Sequence, residues 1–179
     1  MSLDKCVAIG ECGLDFPDDS PHPYYEEQLR VFSEQLRAAH RIAKPVIVYL
    51  RGHRALDVGL SLCQRFLSAT HTICLHNFSG NPETMRVWIR AFANVRFGFT
   101  SLYQELPEVL ECMRRVELTR VLVESNAPHS THEESTFFNN FPHSVLFTLR
   151  KFSALRNVPL SVMLYASVRN AGLFYNIPL

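Results

Sequence analysis

The 179 residues are 47% hydrophobic and 20% charged, and 18 lysines and arginines against 17 acids leave a net charge of +1. That composition suits one globular domain, taken as residues 1–179, and excludes a polybasic arm or acidic tail. No apolar run approaches the roughly 18 residues of a membrane span, and a closed eight-stranded α/β barrel usually takes about 250 residues.

The start, Met1 to Lys5, runs straight into a strand-like segment without the pattern of a cleavable signal. Short β-branched-rich runs predict strands at Cys6–Cys12, Val46–Arg51, Thr72–Phe78, Val95–Ser101 and Val121–Ser125. Amphipathic stretches lie between them. The first opens at Tyr24 and places Leu29, Phe32, Leu36, Ala39 and Ala43 at helical spacing; others run through Ala55–Phe66, Pro82–Ala93 and Pro107–Val116. Pro82 and Pro107 suit helix starts, with Asn81 but not Leu106 a good cap type. Two more helices, near His143–Arg156 and Leu160–Phe174, follow the last strand. Alternation at this spacing predicts βαβ units, hence a parallel sheet of about five strands with helices outside. Pro128 to Pro142 is the one long irregular stretch. Five cysteines, at positions 6, 12, 63, 74 and 112, are an odd number with no CxxC pair, which predicts reduced, buried thiols and an intracellular protein, cytoplasmic or nuclear.

In a parallel α/β fold ligands sit at the carboxyl ends of the strands. The residues that break the apolar runs there are Glu11, Tyr49 with Arg51 on the same face, His76, and Glu124-Ser125-Asn126. A carboxylate, a phenol, an imidazole and an amide would then share one rim. Taken singly, the acid reads more readily as a solvated cap than as a ligand, His76 as a hydrogen-bonded core residue and Tyr49 as packing; it is their shared place at strand ends that points to a site.

Ala8-Ile9-Gly10-Glu11-Cys12-Gly13-Leu14-Asp15-Phe16 resembles the A-I-G-E-x-G-L-D-[YF] signature of the TatD-type deoxyribonucleases. Gln28 to Ala39 followed by Lys44-Pro45-Val46-Ile47 is similar to the helix and next strand of that family. Leu75-His76-Asn77-Phe78-Ser79-Gly80 resembles its L-H-C-F-S-G, Val121 to His129 its L-L-x-E-[TS]-D-A-P-[YH], and Arg169 to Phe174 its closing E-N-A-x-x-L-F. The resemblance implies a TIM-barrel-like fold and metal-dependent phosphodiester hydrolysis on DNA, in some members RNA. Divalent ions, Mg, Mn or Zn, would be held at the strand ends to polarise a phosphate and activate a water.

By resemblance, Glu11 holds the bridging-carboxylate position and His76 a metal-ligand position, while Asp15 and Arg51 match family site residues. Three features depart. No H-x-H-x-D motif is present, so the resemblance implies an incomplete barrel lacking the family's N-terminal strands. Tyr49 stands where the family has a histidine, and Asn126 where it has the acid that serves as ligand and base. A phenol, with a pKa near 10, is a poor ligand at neutral pH, and a carboxamide cannot take a proton from water. The expectation is therefore a degraded metal site and an impaired enzyme. His53, His129, His132 and Glu124 are the nearby spare donors. The alternatives are a non-catalytic pseudoenzyme that binds nucleic acid or protein, a working nuclease completed by an omitted segment or partner chain, and an incomplete gene product. A protein partner would cover the open sheet edge. Arg30, Arg37, Arg41, Arg51 and Arg54 are candidates for a nucleic-acid patch, although the first three share a helix with Glu26, Glu27 and Glu34 and read equally as a solvated face.

Overall fold

The computed structural model of the chain describes residues 5–16, 23–100, 106–129 and 140–178. Five parallel strands, β1 (Ile9–Asp15), β2 (Val46–Arg51), β3 (Ile73–His76), β4 (Val95–Phe99) and β5 (Val121–Val123), hydrogen-bond in chain order. Helices α1 (Tyr25–Ile42), α2 (His53–Phe66), α3 (Pro82–Ala91) and α4 (Pro107–Arg115) make the crossovers, and α5 (Val145–Arg156) and α6 (Leu160–Tyr175) follow β5.

The local chemistry explains the boundaries. Glu26 and Glu27 in the first turn of α1, and His40 and Arg41 in its last, oppose the helix dipole, and Ala43 ends it in the left-handed region at φ 51°. Asn81 caps α3 by accepting the Thr84 N–H at 2.9 Å, with Pro82 in the first turn. Leu106 makes no such cap on α4. Strand β2 has the expected bounds, and β3, β4 and β5 are shorter than the apolar runs that predict them, because the ladder stops where the residues turn into the connecting loops. β1 departs most: it begins at Ile9 rather than Cys6 and runs to Asp15. Its register with β2 shifts between Ile9 and Cys12, which pair with Val46 and Val48, so an extra residue is accommodated beside Glu11. Glu11 therefore lies inside β1 rather than at its end. Ser101, His132 and most of the Pro128–Pro142 stretch lie outside the described residues.

Alternation along the strands gives the sheet two different faces. Val46, Val48 and Leu50 of β2 point with Ile73, Leu75, Phe97 and Phe99 into the main core, where they meet Phe32, Trp88, Met113 and Phe152 from the helices. The opposite face carries Ile47, Cys74 and Leu122, which pack against Phe174 with Ala171 and Tyr175 of α6. Four cysteines, 12, 63, 74 and 112, are buried and free as expected; Cys6 is only half-buried, because it precedes the sheet. No helix among the described residues is long and apolar enough to cross a membrane.

Asn170 is the polar tie between α6 and the sheet. It is 1% exposed, and its amide donates to the carbonyls of Leu118 at 2.6 Å and Val121 at 2.8 Å, on the side of β5 where no further strand among the described residues donates. Asn170→Ala should lower the unfolding free energy by about 1–3 kcal/mol, the cost of leaving the buried Val121 carbonyl without this donor while Leu118 keeps only the Val121 N–H, as read from urea titration.

Candidate active site

Three strands converge on His76, the last residue of β3. Its Nε2 lies 3.3 Å from Glu11 Oε1 of β1, and its Nδ1 lies 3.0 Å from Glu124 Oε2, just beyond β5. The imidazole is 11% exposed, Glu124 17% and Glu11 52%, so the pair with Glu124 is the enclosed one. Tyr49, the register partner of His76 on β2, stands edge-on to it with ring centroids 5.6 Å apart. Asn126 sits in the left-handed region at φ 56°, which asparagine tolerates, and its side chain also hydrogen-bonds His76.

The Glu124 carboxylate is held from several sides. Oε2 accepts the Asn77 backbone N–H at 2.9 Å, and Oε1 accepts from the Cys74 thiol at 3.7 Å. Beneath it is Gly98, where a Cβ would overlap the carboxylate itself. Asn77, 1% exposed and at φ 50°, accepts from the Thr100 hydroxyl and fixes the turn out of β3. On the far side of Asn126, the Asn140 amide donates to the carbonyls of Ser125 and His129, which pins the loop after β5.

Electrostatics follow from this enclosure. Burial works against a charged His76, but the Glu124 hydrogen bond and charge, the Glu11 charge and the Asn126 bond together outweigh it and raise its pKa above the ordinary value. Burial, then the nearby Glu124, pushes the Cys74 thiol well above its usual range. The Tyr175 phenol is pushed up to about 12, first by burial and then by Cys74, Glu124 and Glu11. Tyr175 was absent from the sequence candidates; the signal available was its place directly after Phe174, the last residue of the closing motif.

The other candidates lie apart from His76. Arg51 and Asp15 pair with each other at 3.4 Å on the exposed ends of β2 and β1, where the Gln28 side chain accepts the Asp15 N–H at 2.7 Å. His53 starts α2 and His129 is exposed beyond β5. Arg30 and Arg37 are paired with Glu27 and Glu34 along α1, and Arg54 lies over the Tyr25 ring, so these cations face their own neighbours.

Whether a metal fits can be judged from the donors. Metal–ligand bonds of about 2.0–2.1 Å place adjacent tetrahedral donors about 3.3 Å apart, and Glu11 Oε1 and His76 Nε2 are separated by 3.3 Å. Those two could share an ion. Yet no group of three or more His, Cys, Asp or Glu able to hold a metal occurs among the described residues, whereas zinc sites take three or four protein ligands. The described residues thus do not complete a divalent centre.

A parallel sheet backed by helices, with polar side chains along one rim, defines an α/β fold of the parallel, barrel-like class. The sequence profile described as TatD related DNase matches residues 1–176, and the chain belongs to that family. It is 30% identical over 178 residues to the human protein named 3'-5' RNA nuclease TATDN2, covering 97% of this chain and 23% of that one. To the Escherichia coli K12 protein named uncharacterized metal-dependent hydrolase YjjV it is 28% identical over 176 residues, covering 97% of this chain and 65% of that one. The crystal structure of YjjV superposes with a TM-score of 0.81 at 26% identity, over 98% of this chain and 66% of that chain. The chain thus spans between about a quarter and two thirds of the length of these relatives.

The raised pKa of His76 sets a pH signature. Its contribution to stability is complete below the unfolded value near 6.5 and is lost as pH rises through the folded value. His71, pushed down chiefly by burial, acts only below about 6.5, and the buried thiols with raised pKa values lower stability only as pH approaches about 8.5, so the difference between wild type and a His76 variant between those limits reports His76. In urea titrations with chelator from about pH 6 to about pH 9, the stability advantage of wild type over His76→Gln should shrink with rising pH. A pH-independent difference would contradict this.

Proposed function

We propose that this chain is a TatD-type phosphodiesterase homologue directed at DNA or RNA, with hydrolysis impaired by an incomplete metal site. Residues 1–179 are read as one barrel-type domain in an intracellular setting, cytoplasmic or nuclear, a reading supported by five free thiols. Glu11 and His76 are the metal donors, for Mg, Mn or Zn, and Asp15 and Arg51 belong to the substrate-facing rim. The carrying observation is that Glu11 and His76 Nε2 stand as adjacent donors, while Glu124 is occupied on the Nδ1 side and Tyr49 and Asn126 flank His76 with a phenol and a carboxamide. A divalent ion would supply phosphate polarisation and an activated water. A carboxamide at 126 leaves no base there.

Labelled single- and double-stranded DNA and RNA with Mg²⁺ or Mn²⁺ test the reading. Wild type should cleave weakly or not at all, and Tyr49→His with Asn126→Asp should raise cleavage at least about 10-fold, the lower end of what even an outer-shell partner of a metal is worth. Ready cleavage by wild type that Glu11→Ala abolishes, or tight stoichiometric Mn²⁺ binding by calorimetry, would overturn impairment.

A second reading, a non-catalytic module that binds a protein, is favoured by the outer edges of β1 and β5, which pair with no further strand among the described residues. Several apolar side chains of α6, among them Leu164, Tyr165, Val168 and Leu173, are also exposed. A clean monomer in sedimentation that captures no protein would count against it.

A further inference from the structure

Glu124 is one of the spare donors named from the sequence, yet its carboxylate meets the Nδ1 side of His76 whereas Glu11 meets the Nε2 side. We infer that Glu124 is the positioning residue of this site: it accepts a hydrogen bond from His76 Nδ1–H and so leaves Nε2 bare toward Glu11, in a space that exists because residue 98 is glycine. The inference rests on the family reading of Glu11 and His76 as site residues.

Two carboxylates compete for the ring proton, beside the neutral Asn126 amide, and geometry decides between them. Glu124 Oε2 is nearer, at 3.0 Å against 3.3 Å, and is 17% exposed against 52% for Glu11, so its hydrogen bond is less diluted by water. It is also the better anchored. The same Oε2 accepts the Asn77 backbone N–H at 2.9 Å, and Oε1 accepts the Cys74 thiol, so the carboxylate cannot swing away without leaving buried donors unpaired. Glu11 has no comparable enclosure. Gly98 completes the arrangement, since a Cβ there would occupy the carboxylate's own volume. Orientation of a histidine through a carboxylate on its second nitrogen is how proteins aim the first at a ligand.

The test needs neither metal nor turnover. Long-range ¹H–¹⁵N correlation spectra of the histidine-labelled chain, recorded at alkaline pH with neutral imidazoles, should show His76 protonated on Nδ1 and bare on Nε2. Glu124→Ala should move the proton to Nε2. Gly98→Ala, which displaces the carboxylate without deleting it, should move it in the same direction. Glu124→Gln keeps an acceptor oxygen for both Nδ1 and Asn77 and should restore the Nδ1–H form, and Glu11→Gln should leave it unchanged. A wild-type ring protonated on Nε2 would overturn the inference even if no variant folds, as would an Nδ1–H form that survives Glu124→Ala. Cleavage and Mn²⁺ calorimetry judge the metal-site reading separately, since the tautomer is read with no ion present.

Discussion

Alternation of side chains across the parallel sheet is the constraint on which the other features depend. Each strand offers every second residue to the helices, and those positions are filled by Val46, Val48, Leu50, Ile73, Leu75, Phe97 and Phe99. The remaining positions necessarily face the other way, which frees them for Glu11, Tyr49, Arg51, Cys74, His76 and Gly98. A one-residue slip in any strand would exchange the two sets, driving charges under the helices and phenylalanines onto the rim. The register is therefore held by the core, and the site inherits its geometry from that register.

On the polar face the limiting resource is positive charge. Glu11, Glu124 and the high-pKa groups Cys74 and Tyr175 crowd around one imidazole, and the nearest arginine on β2, Arg51, is committed to Asp15. The two carboxylates therefore make the surroundings of His76 acidic.

The sequence was informative where chemistry is local. Strand and helix order, the Asn81 cap, the buried thiols and the placement of His76 at a strand exit all follow from patterns within about ten residues. The register shift inside β1 was invisible, because Gly10-Glu11-Cys12-Gly13 gives no periodicity to slip against. Its consequence is that Glu11 reaches His76 from within a strand instead of from its end. The role of Glu124 was equally hidden: it depends on Gly98 and Asn77, more than twenty residues away along the chain, and on which side of an imidazole a carboxylate lies. Tyr175 arrives at the site only through the packing of α6 against the polar face.

The distribution of thiols has a practical side. Burial pushes Cys12 and Cys112 up to about 12 and raises Cys63 and Cys74 as well, so at neutral pH these four are both enclosed and protonated, the state least open to electrophiles. Cys6, half-buried ahead of β1, is the least enclosed of the five. It lies at the amino end of that strand, so a spin label or fluorophore placed on it would sit at the end of the sheet away from the rim, and could be attached without a cysteine having to be engineered or removed.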